Sequence, residues 1–249
     1  MHRSLIVALT GVAFSIPAVT AVAGDAPLHM THEWHVSLDA GGKVAALKDT
    51  GELAAGVRDP LERAIRGWSF EPGRIDGKPA PTETALTLEV TFVPAADGNY
   101  SVRIDDARTG GTIDTRDSKA APPRFPHELA RRTPFLGRVV VRADYDAEGR
   151  IVTVTAQPDQ GIHATRSLDA ATIAAVRQWK AIPERVDGHG VAASVMVPVC
   201  YTAVLAGSRP PDYNCTWTPP GSNSKVDNGG SFALAPTAKL VSDVIGHAL

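Results

Sequence analysis

The alternation of apolar and polar residues predicts two strands, a helix and a third strand in the second half of the chain. Residues 137–145 and 151–156 alternate at the period of a β-strand, and Asp146-Ala147-Glu148-Gly149 between them is a turn signal. Helical spacing extends from Leu168 to Trp179, and residues 192–201 form a strongly apolar last strand. The predicted order is β-β-α-β, with the helix packed on an antiparallel sheet.

The first half of the chain shows the same plan. A hairpin is predicted over residues 35–47, a helix that ends near Trp68 follows it, and residues 84–93 alternate as a strand. A turn at Asp97-Gly98-Asn99 then leads into an additional strand over residues 100–104.

A repeat in the sequence connects the two halves. The segment from Leu38 to Val44 resembles that from Tyr145 to Ile151, and the strand ending at Phe92 corresponds to the one ending at Tyr201. The residues that recur at constant spacing are Ala64, Arg66, Trp68, Pro72, Arg74, Asp76 and Gly77, with Ala175, Arg177, Trp179, Pro183, Arg185, Asp187 and Gly188. We therefore predict an α+β fold of two β-β-α-β units, each a small antiparallel sheet with one packed helix. In this interpretation Trp68 and Trp179 are structural residues that anchor the helices to the sheets.

Composition divides the chain into five segments. Residues 1–23 read as a signal peptide, 24–105 as the first unit, 106–121 as a polar linker with Gly and Pro, and 122–205 as the second unit. Residues 206–249 form a turn-rich tail. This tail is predicted to end in a short C-terminal helix whose apolar face consists of Leu240, Val241, Val244, Ile245 and Ala248.

The N-terminal segment has the three parts of a secretory signal. Arg3 supplies the positive charge, Leu5 to Ile16 is apolar, and Ala21-Val22-Ala23 is a small-x-small cleavage site. An uncleaved membrane anchor is the alternative, because a helix needs about 20 apolar residues to cross a bilayer. Pro17 and the Ala-Val-Ala triplet lie where a processing site should, so export with cleavage is the favoured prediction.

The sequence contains two cysteines, Cys200 and Cys215. In an exported protein such a pair is normally a disulfide, so we predict this bond, with two free thiols as the alternative. Closing a loop of roughly 15 residues stabilises a fold by about 3 kcal/mol in the chain-entropy model. Neither cysteine has the basic neighbours or the CxxC spacing of a reactive thiol.

Charge and composition exclude some classes of function. The chain has 25 Lys+Arg, 27 Asp+Glu and a net charge of -2, which argues against a strongly basic nucleic-acid binder. With 43% hydrophobic residues it has the composition of a folded globular protein. The motifs of a nucleophile elbow, a phosphate-binding loop and a dinucleotide fingerprint do not occur, so we predict no catalytic residues and no cofactor.

Three histidines near the start of the predicted mature chain, His29, His32 and His35, are weak candidates for metal binding. Imidazole is a suitable ligand for Zn, Cu or Ni. Their spacing would place them on one side of a helix, whereas on a strand they would alternate between the two faces. No closed ligand set accompanies them, so no metal site is predicted.

Several motifs of the second unit follow the order found in the TonB C-terminal domain family. They are Phe125-Pro126 before a predicted opening helix that reaches Arg132, Gly137-Arg138-Val139-Val140-Val141, the turn at Gly149, Leu168-Asp169-Ala170-Ala171, Val176-Arg177-Gln178-Trp179, Asp187-Gly188 and Val197-Pro198-Val199. The segment from Pro122 to about Tyr201 resembles that family. The first unit, from about His35 to Phe92, resembles a degenerate copy that lacks the aromatic-Pro opening.

This resemblance implies a protein-interaction domain in the periplasm. Members of the family contact outer-membrane transporters by pairing a strand edge with an extended peptide of the partner, which is β-augmentation. By analogy, the partner-binding strand is the last one, with Val195, Met196, Val197, Val199 and Tyr201, while Phe125 and Pro126 pack the opening helix. The implied partner is a TonB-dependent receptor or a component of the TonB system. Exposed strand edges also make a homodimer a candidate assembly.

One departure from the family affects the predicted function. A full energy transducer has a membrane anchor and a long Pro-rich segment, and no such segment separates the apolar start from the first unit here. The leading prediction is therefore a non-enzymatic periplasmic binding or adaptor protein. The alternatives are a TonB-like energy transducer anchored in the inner membrane and, from another class, a secreted metal-binding protein or enzyme.

Overall fold

The first half of the chain contributes three long antiparallel strands and the second half two, and each half adds a six-residue strand and one helix. The structure is a computed structural model that describes residues 27–51, 53–94, 100–114, 121–129, 134–204 and 215–249. The elements of the first half are β1 (Leu28–Leu38), β2 (Val44–Asp49), α1 (Ala55–Gly67), β3 (Phe70–Glu71), β4 (Arg74–Ile75), β5 (Lys78–Pro79), β6 (Thr82–Pro94), β7 (Tyr100–Gly110) and β8 (Thr112–Ile113). Those of the second half are β9 (Phe135–Tyr145), β10 (Ile151–Ala156), α2 (Arg166–Val176), β11 (Ala181–Ile182), β12 (Arg185–Val186), β13 (His189–Gly190) and β14 (Ala193–Ala203). The C-terminal segment adds β15 (Phe232–Ala233) and β16 (Lys239–Leu240), and the predicted α+β class is confirmed.

The two main sheets have the same strand order around their longest pairs of strands, β1·β6 in the first and β9·β14 in the second. In the first sheet β1 lies between β2 and β6, and the far side of β6 is bonded first by β12 and then by β7. In the second sheet β9 lies between β10 and β14, and β15 pairs with the far side of β14. All of these pairings are antiparallel.

The register of the two sheets is also the same. The β1·β6 pairs run from Leu28↔Phe92 to Leu38↔Thr82, and the β9·β14 pairs run from Phe135↔Ala203 to Tyr145↔Ala193. A shift of 107 residues along β1 and of 111 residues along β6 converts the first register into the second. Phe92 therefore corresponds to Ala203 and not to Tyr201, two residues from the position predicted from the sequence.

A separate apolar core lies under each helix. In the first, Trp34, Leu61 and Leu86 come from β1, α1 and β6 and are fully buried, and Trp68 completes this core beyond the end of α1. In the second, the core residues from β9, α2 and β14 include Val141, Leu168 and Val197, with Trp179 in the place of Trp68. The side chain of Thr165 caps α2 by accepting a hydrogen bond from the N–H of Leu168 at 3.3 Å.

The predicted linker begins too early. Residues 106–110 belong to β7, and β8 follows at Thr112–Ile113. The polar composition of this segment reflects an ion-paired strand face, since Arg108 lies 2.5 Å from a carboxylate oxygen of Glu89 and 2.8 Å from one of Asp106. Polar residues that pair across strands are compatible with a sheet, which the composition alone did not indicate.

The predicted C-terminal helix is wrong. Residues 239–240 form β16 against β3, and the last residues lie along β7, where Leu249 donates a backbone hydrogen bond to the carbonyl of Val102 at 2.8 Å. Strand edges satisfy the backbone groups that a helix would have satisfied internally. The apolar side chains do not form one buried face either, because Val244 is buried while Val241 is 65% exposed.

Several predictions fall partly or wholly outside the described residues. They are the signal peptide of residues 1–23, the turn at residues 97–99 and residues 130–132 of the opening helix. The described part of that predicted helix is a single 3₁₀ turn at His127–Leu129. Within the described ranges, no helix combines the length and apolar character needed to cross a membrane.

Candidate protein-binding edge

The strand β14 directs its side chains alternately to two faces of the second sheet. Val195, Val197, Val199 and Tyr201 point into the core under α2 and are buried. Met196 points to the opposite face, where it is also buried. The five residues predicted to bind a partner therefore lie inside the fold, and a partner at this strand would meet its backbone edge.

The backbone groups of β14 alternate between its two neighbours in the same way. The carbonyl groups of Ser194 and Pro198 accept hydrogen bonds from Leu234 at 3.1 Å and Gly229 at 2.9 Å, away from β9. The N–H of Cys200 also points outward and donates to the Asn228 side-chain oxygen at 2.9 Å. Even-numbered residues thus form the outer edge of β14, and odd-numbered residues bond to β9.

Pro198 occupies one of these outward positions. Proline has no backbone N–H, so in a sheet it is confined to edge strands or to places where no donor is needed. Only its carbonyl is used at the outer edge, by the N–H of Gly229. The Val197-Pro198-Val199 motif therefore marks the outer side of β14, where a ladder lacks one donor at Pro198.

A C-terminal segment of the same chain covers this outer edge. Val195 and Met196 pair with Ala233 and Phe232 of β15. The tail also covers the outer face of the sheet. A buried cluster there consists of Val140, Met196, Trp217 and Val226, with Phe232 packed against it and its ring 6.4 Å from that of Trp217.

The disulfide predicted between Cys200 and Cys215 is present. It joins the outer edge of β14 to the first described residue after the segment 205–214. Because Cys200 also donates its N–H to Asn228, the bond and the tail meet at one end of the edge.

The aromatic residues singled out in the sequence pack around the inner side of this strand. Phe125 lies with its ring 5.8 Å from Phe135 and 6.2 Å from Tyr201. The hydroxyl of Tyr201 lies 2.6 Å from Thr172 Oγ1, and burial raises the pKa of this tyrosine. The indole N–H of Trp179 donates to the carbonyl of Ala121 at 3.1 Å, which holds the entry of the second half against α2.

The three histidines lie on β1 and do not converge. His32 Nε2 lies 2.6 Å from an oxygen of Asp49, His29 Nδ1 lies 2.7 Å from Thr91 Oγ1, and His35 lies 3.7 Å from Glu33. Their spacing places His32 on the face opposite to His29 and His35. Across the part of the chain that is described, no three metal-ligating side chains form a group that could hold an ion.

Residues 121–203 match the TonB_C family, described as the Gram-negative bacterial TonB protein C-terminal. Two proteins named "Protein TonB", from two strains of Xanthomonas campestris pv. campestris, are each 32% identical to this chain over 90 residues. Each match covers 36% of this chain and 39% of the relative, so the chain spans well under half the length of these relatives. No solved structure shows a significant match.

The TonB_C match contains the whole of β14 and stops at Ala203. The tail from Cys215 onward, which covers the edge, therefore lies outside the matched segment. This covering segment was missed in the sequence, where the tail read as irregular. Its signal is weak: an Asn228-Gly229-Gly230 turn followed by the short apolar run Phe232-Ala233-Leu234.

Proposed function

We propose that this chain is an exported, non-enzymatic protein-interaction protein of the TonB C-terminal type. It binds an extended segment of a protein partner along the outer edge of β14. The observation that carries this proposal is the edge itself: within the segment that matches TonB_C, β14 is paired along its length only on the side of β9. Its other side takes a short strand from elsewhere in the chain, so the edge accepts strand addition.

The partner class follows from the family. The TonB_C description and the two relatives named "Protein TonB" support a partner in the TonB system, either an outer-membrane receptor or another component. Backbone hydrogen bonds along even-numbered residues supply affinity, and side-chain pockets beside them supply selectivity. A homodimer, in which the exposed strand edges of two copies pair, would use the same backbone hydrogen bonds and is the competing assembly.

The first half is a degenerate copy of the second. The identical register of β1·β6 and β9·β14 supports this, as does a shared contact between the first turn and the segment after the helix. Phe70 donates its N–H to the carbonyl of Gly42 at 2.9 Å, and Ala181 donates to Gly149 at 2.8 Å. The first copy serves as a platform, because its strands β6 and β3 receive β12 and β16 from the rest of the chain.

The chain functions in the periplasm, either free or held by an uncleaved N-terminal helix as in an energy transducer. The intact mass of protein isolated from native cell fractions distinguishes these two forms. A soluble species beginning at Gly24 supports the free adaptor. A membrane-bound species that retains residues 1–23 supports the anchored transducer instead.

Strand addition at β14 is tested by NMR titration of the full mature chain with synthetic peptides that tile the periplasmic segments of outer-membrane receptors. Binding should shift the amides of residues 194–202 most strongly. Thr202→Pro, which removes an outward N–H beyond the reach of β15, should weaken binding, whereas Thr202→Ala keeps that donor and should not. Shifts confined to other surfaces, or equal affinity for the two variants, would contradict the proposed edge.

A further inference from the structure

The outer edges of β6 and β14 are equivalent in the two sheets, but other strands cover them to very different extents. On β6, the strand that corresponds to β14, ten consecutive residues pair with β7, from Ala85↔Gly110 to Pro94↔Tyr100. On β14, two residues pair with β15, and three single hydrogen bonds complete the cover. The cover of the first edge is therefore extensive and that of the second is light.

We propose that residues 228–234, the strap, occupy the binding edge of β14 in place of a partner and leave it when the partner binds. This inference rests on the proposed function, since it concerns the regulation of the same edge. The strap imitates strand addition: it lies antiparallel to β14 and bonds to the outward groups of Ser194, Pro198 and Cys200.

Both ends of the strap are held by contacts other than the strap's own hydrogen bonds to β14. On its N-terminal side, Trp217 and Val226 exchange two backbone hydrogen bonds of 2.9 and 2.8 Å, and the disulfide fixes Cys215. On its C-terminal side, Ala238 is buried in the first core and its N–H donates to Glu184 at 3.1 Å. The strap can therefore dissociate from β14 while the flanking segments stay in place, and these segments keep it close enough to rebind.

The contacts of the strap indicate the kind of segment that would replace it. Phe232 packs against the cluster around Trp217 and Met196 on the outer face. Near the other end, a cavity of about 170 Å³ lies beside Gly229, with Trp179, Val199 and Pro122 in its wall. The strap has no side chain at this point, because Gly229 is a turn residue with φ +74°, a conformation that favours glycine.

The preferred partner is thus an extended segment that bonds to the same outward groups of β14 and places an aromatic side chain where Phe232 packs. Because Gly229 lies in a turn before β15, the strap pairs with only part of the edge, and a segment that stays extended beside the cavity would bury more apolar area than the strap does.

The test uses the full mature chain and a fluorescent peptide with the sequence of residues 227–235 as the probe. Phe232→Asp places a carboxylate against the apolar cluster and should release the strap, raising the affinity for this peptide at least about tenfold over wild type. Leu234→Asp is the matched control, because the Leu234 side chain is 45% exposed and contributes only its backbone N–H.

Hydrogen exchange at Val141 and Val197 verifies that each variant keeps the β9·β14 ladder. If the folded Phe232→Asp variant binds the peptide no better than wild type does, the strap is not a removable occupant. If the strap peptide binds but no receptor peptide does, the result supports the strap as a removable occupant of the edge and contradicts the proposed class of partner.

Discussion

Thr84 and Glu184, one hundred residues apart, share a hydrogen bond of 2.7 Å between the threonine hydroxyl and the buried carboxylate. Thr84 belongs to β6 of the first sheet, and Glu184 precedes β12 in the second half. The same carboxylate accepts the backbone N–H groups of Thr237 and Ala238 at 2.5 and 3.1 Å. One side chain, 2% exposed, thus joins both halves and the C-terminal tail.

Replacement of Glu184 should be severely destabilising. Glu184→Ala leaves the N–H groups of Thr237 and Ala238 without their acceptor, at a cost of about 1–3 kcal/mol for a buried group. It also leaves the Thr84 hydroxyl with the carbonyl of Ala85, at 3.2 Å, in place of the carboxylate. Glu184→Gln should also destabilise, because an NH₂ group would face one of the donors. Urea denaturation measures both changes, with the exposed neighbour Glu83→Gln as the control that should lie within about 0.5 kcal/mol of wild type. Equal stability of the Glu184 and Glu83 variants would contradict the bridging role.

Two features restrict the turn residue Gly149 to glycine: a left-handed backbone and a close contact with a carbonyl oxygen. Gly188 has the left-handed backbone without the contact, so the two effects can be measured separately. Gly149 has φ +79°, and a Cβ there would lie 2.2 Å from the carbonyl oxygen of Ala181. Gly188 has φ +77° but open space around its Cβ. Gly188→Ala should therefore cost the left-handed penalty alone, about 1–2 kcal/mol, and Gly149→Ala should cost clearly more. Thermal unfolding of the two variants checks this order, and the reverse order would show that the contact with Ala181 is unimportant.

Reduction of the disulfide should loosen the tail before it affects the sheets. The bond between Cys200 and Cys215 closes a 15-residue separation, which corresponds to about 3 kcal/mol in the chain-entropy model. The melting temperature of the wild type should fall on adding a reductant, and exchange protection should decrease first at the amides of Gly229 and Leu234, which donate to β14. The Cys200→Ser/Cys215→Ser variant is the control, since its melting temperature should not respond to the reductant.

Acid should weaken the β9·β14 contact at Asp144. Partial burial alone would raise the pKa of this carboxyl, but hydrogen bonds from Ser194 at 2.6 Å and Arg142 at 2.8 Å outweigh it and hold the pKa below 3.8. The stabilisation is complete above the unfolded value and is lost as the pH falls through the lowered folded value. Asp144→Asn should therefore flatten the decline of unfolding free energy below about pH 4, measured by urea titrations at several pH values. If the unfolding free energy of Asp144→Asn declines with acid as steeply as that of the wild type, other carboxylates cause the decline.

The sequence predicted those parts of the fold that depend on local pattern and missed those that depend on distant pairing. The strands, helices and Asp-Gly turns follow from periodicity, because each buries one face or needs one special residue. The strand nature of residues 106–110 depends on pairing with β6, and the strap depends on contacts with β14 more than 30 residues away. Neither interaction leaves a periodic signal in the short segment that takes part in it.

The candidate site illustrates the same limit at the level of single residues. The family resemblance marked Val195, Val197, Val199 and Tyr201 as partner-binding residues, and these are residues that the core needs. The edge is defined by backbone direction, which alternates with residue number and becomes visible only when the neighbours of β14 are known. Pro198 was the one sequence signal for the outer side, since a proline is tolerated where no ladder bond is donated.

This alternation leads to opposite expectations for two adjacent residues. Val197 faces Val141 in the ladder with β9, so Val197→Pro removes an internal donor and should cost about 3 kcal/mol or more, with loss of the sheet. Pro198→Ala adds a donor at the outer edge, where its ring has no ladder role, and should change the unfolding free energy by less than about 1 kcal/mol. Circular dichroism and urea denaturation of the two variants measure the difference. A well-folded Val197→Pro variant would reverse the assignment of inner and outer edges, and with it the residues at which a partner strand could bond.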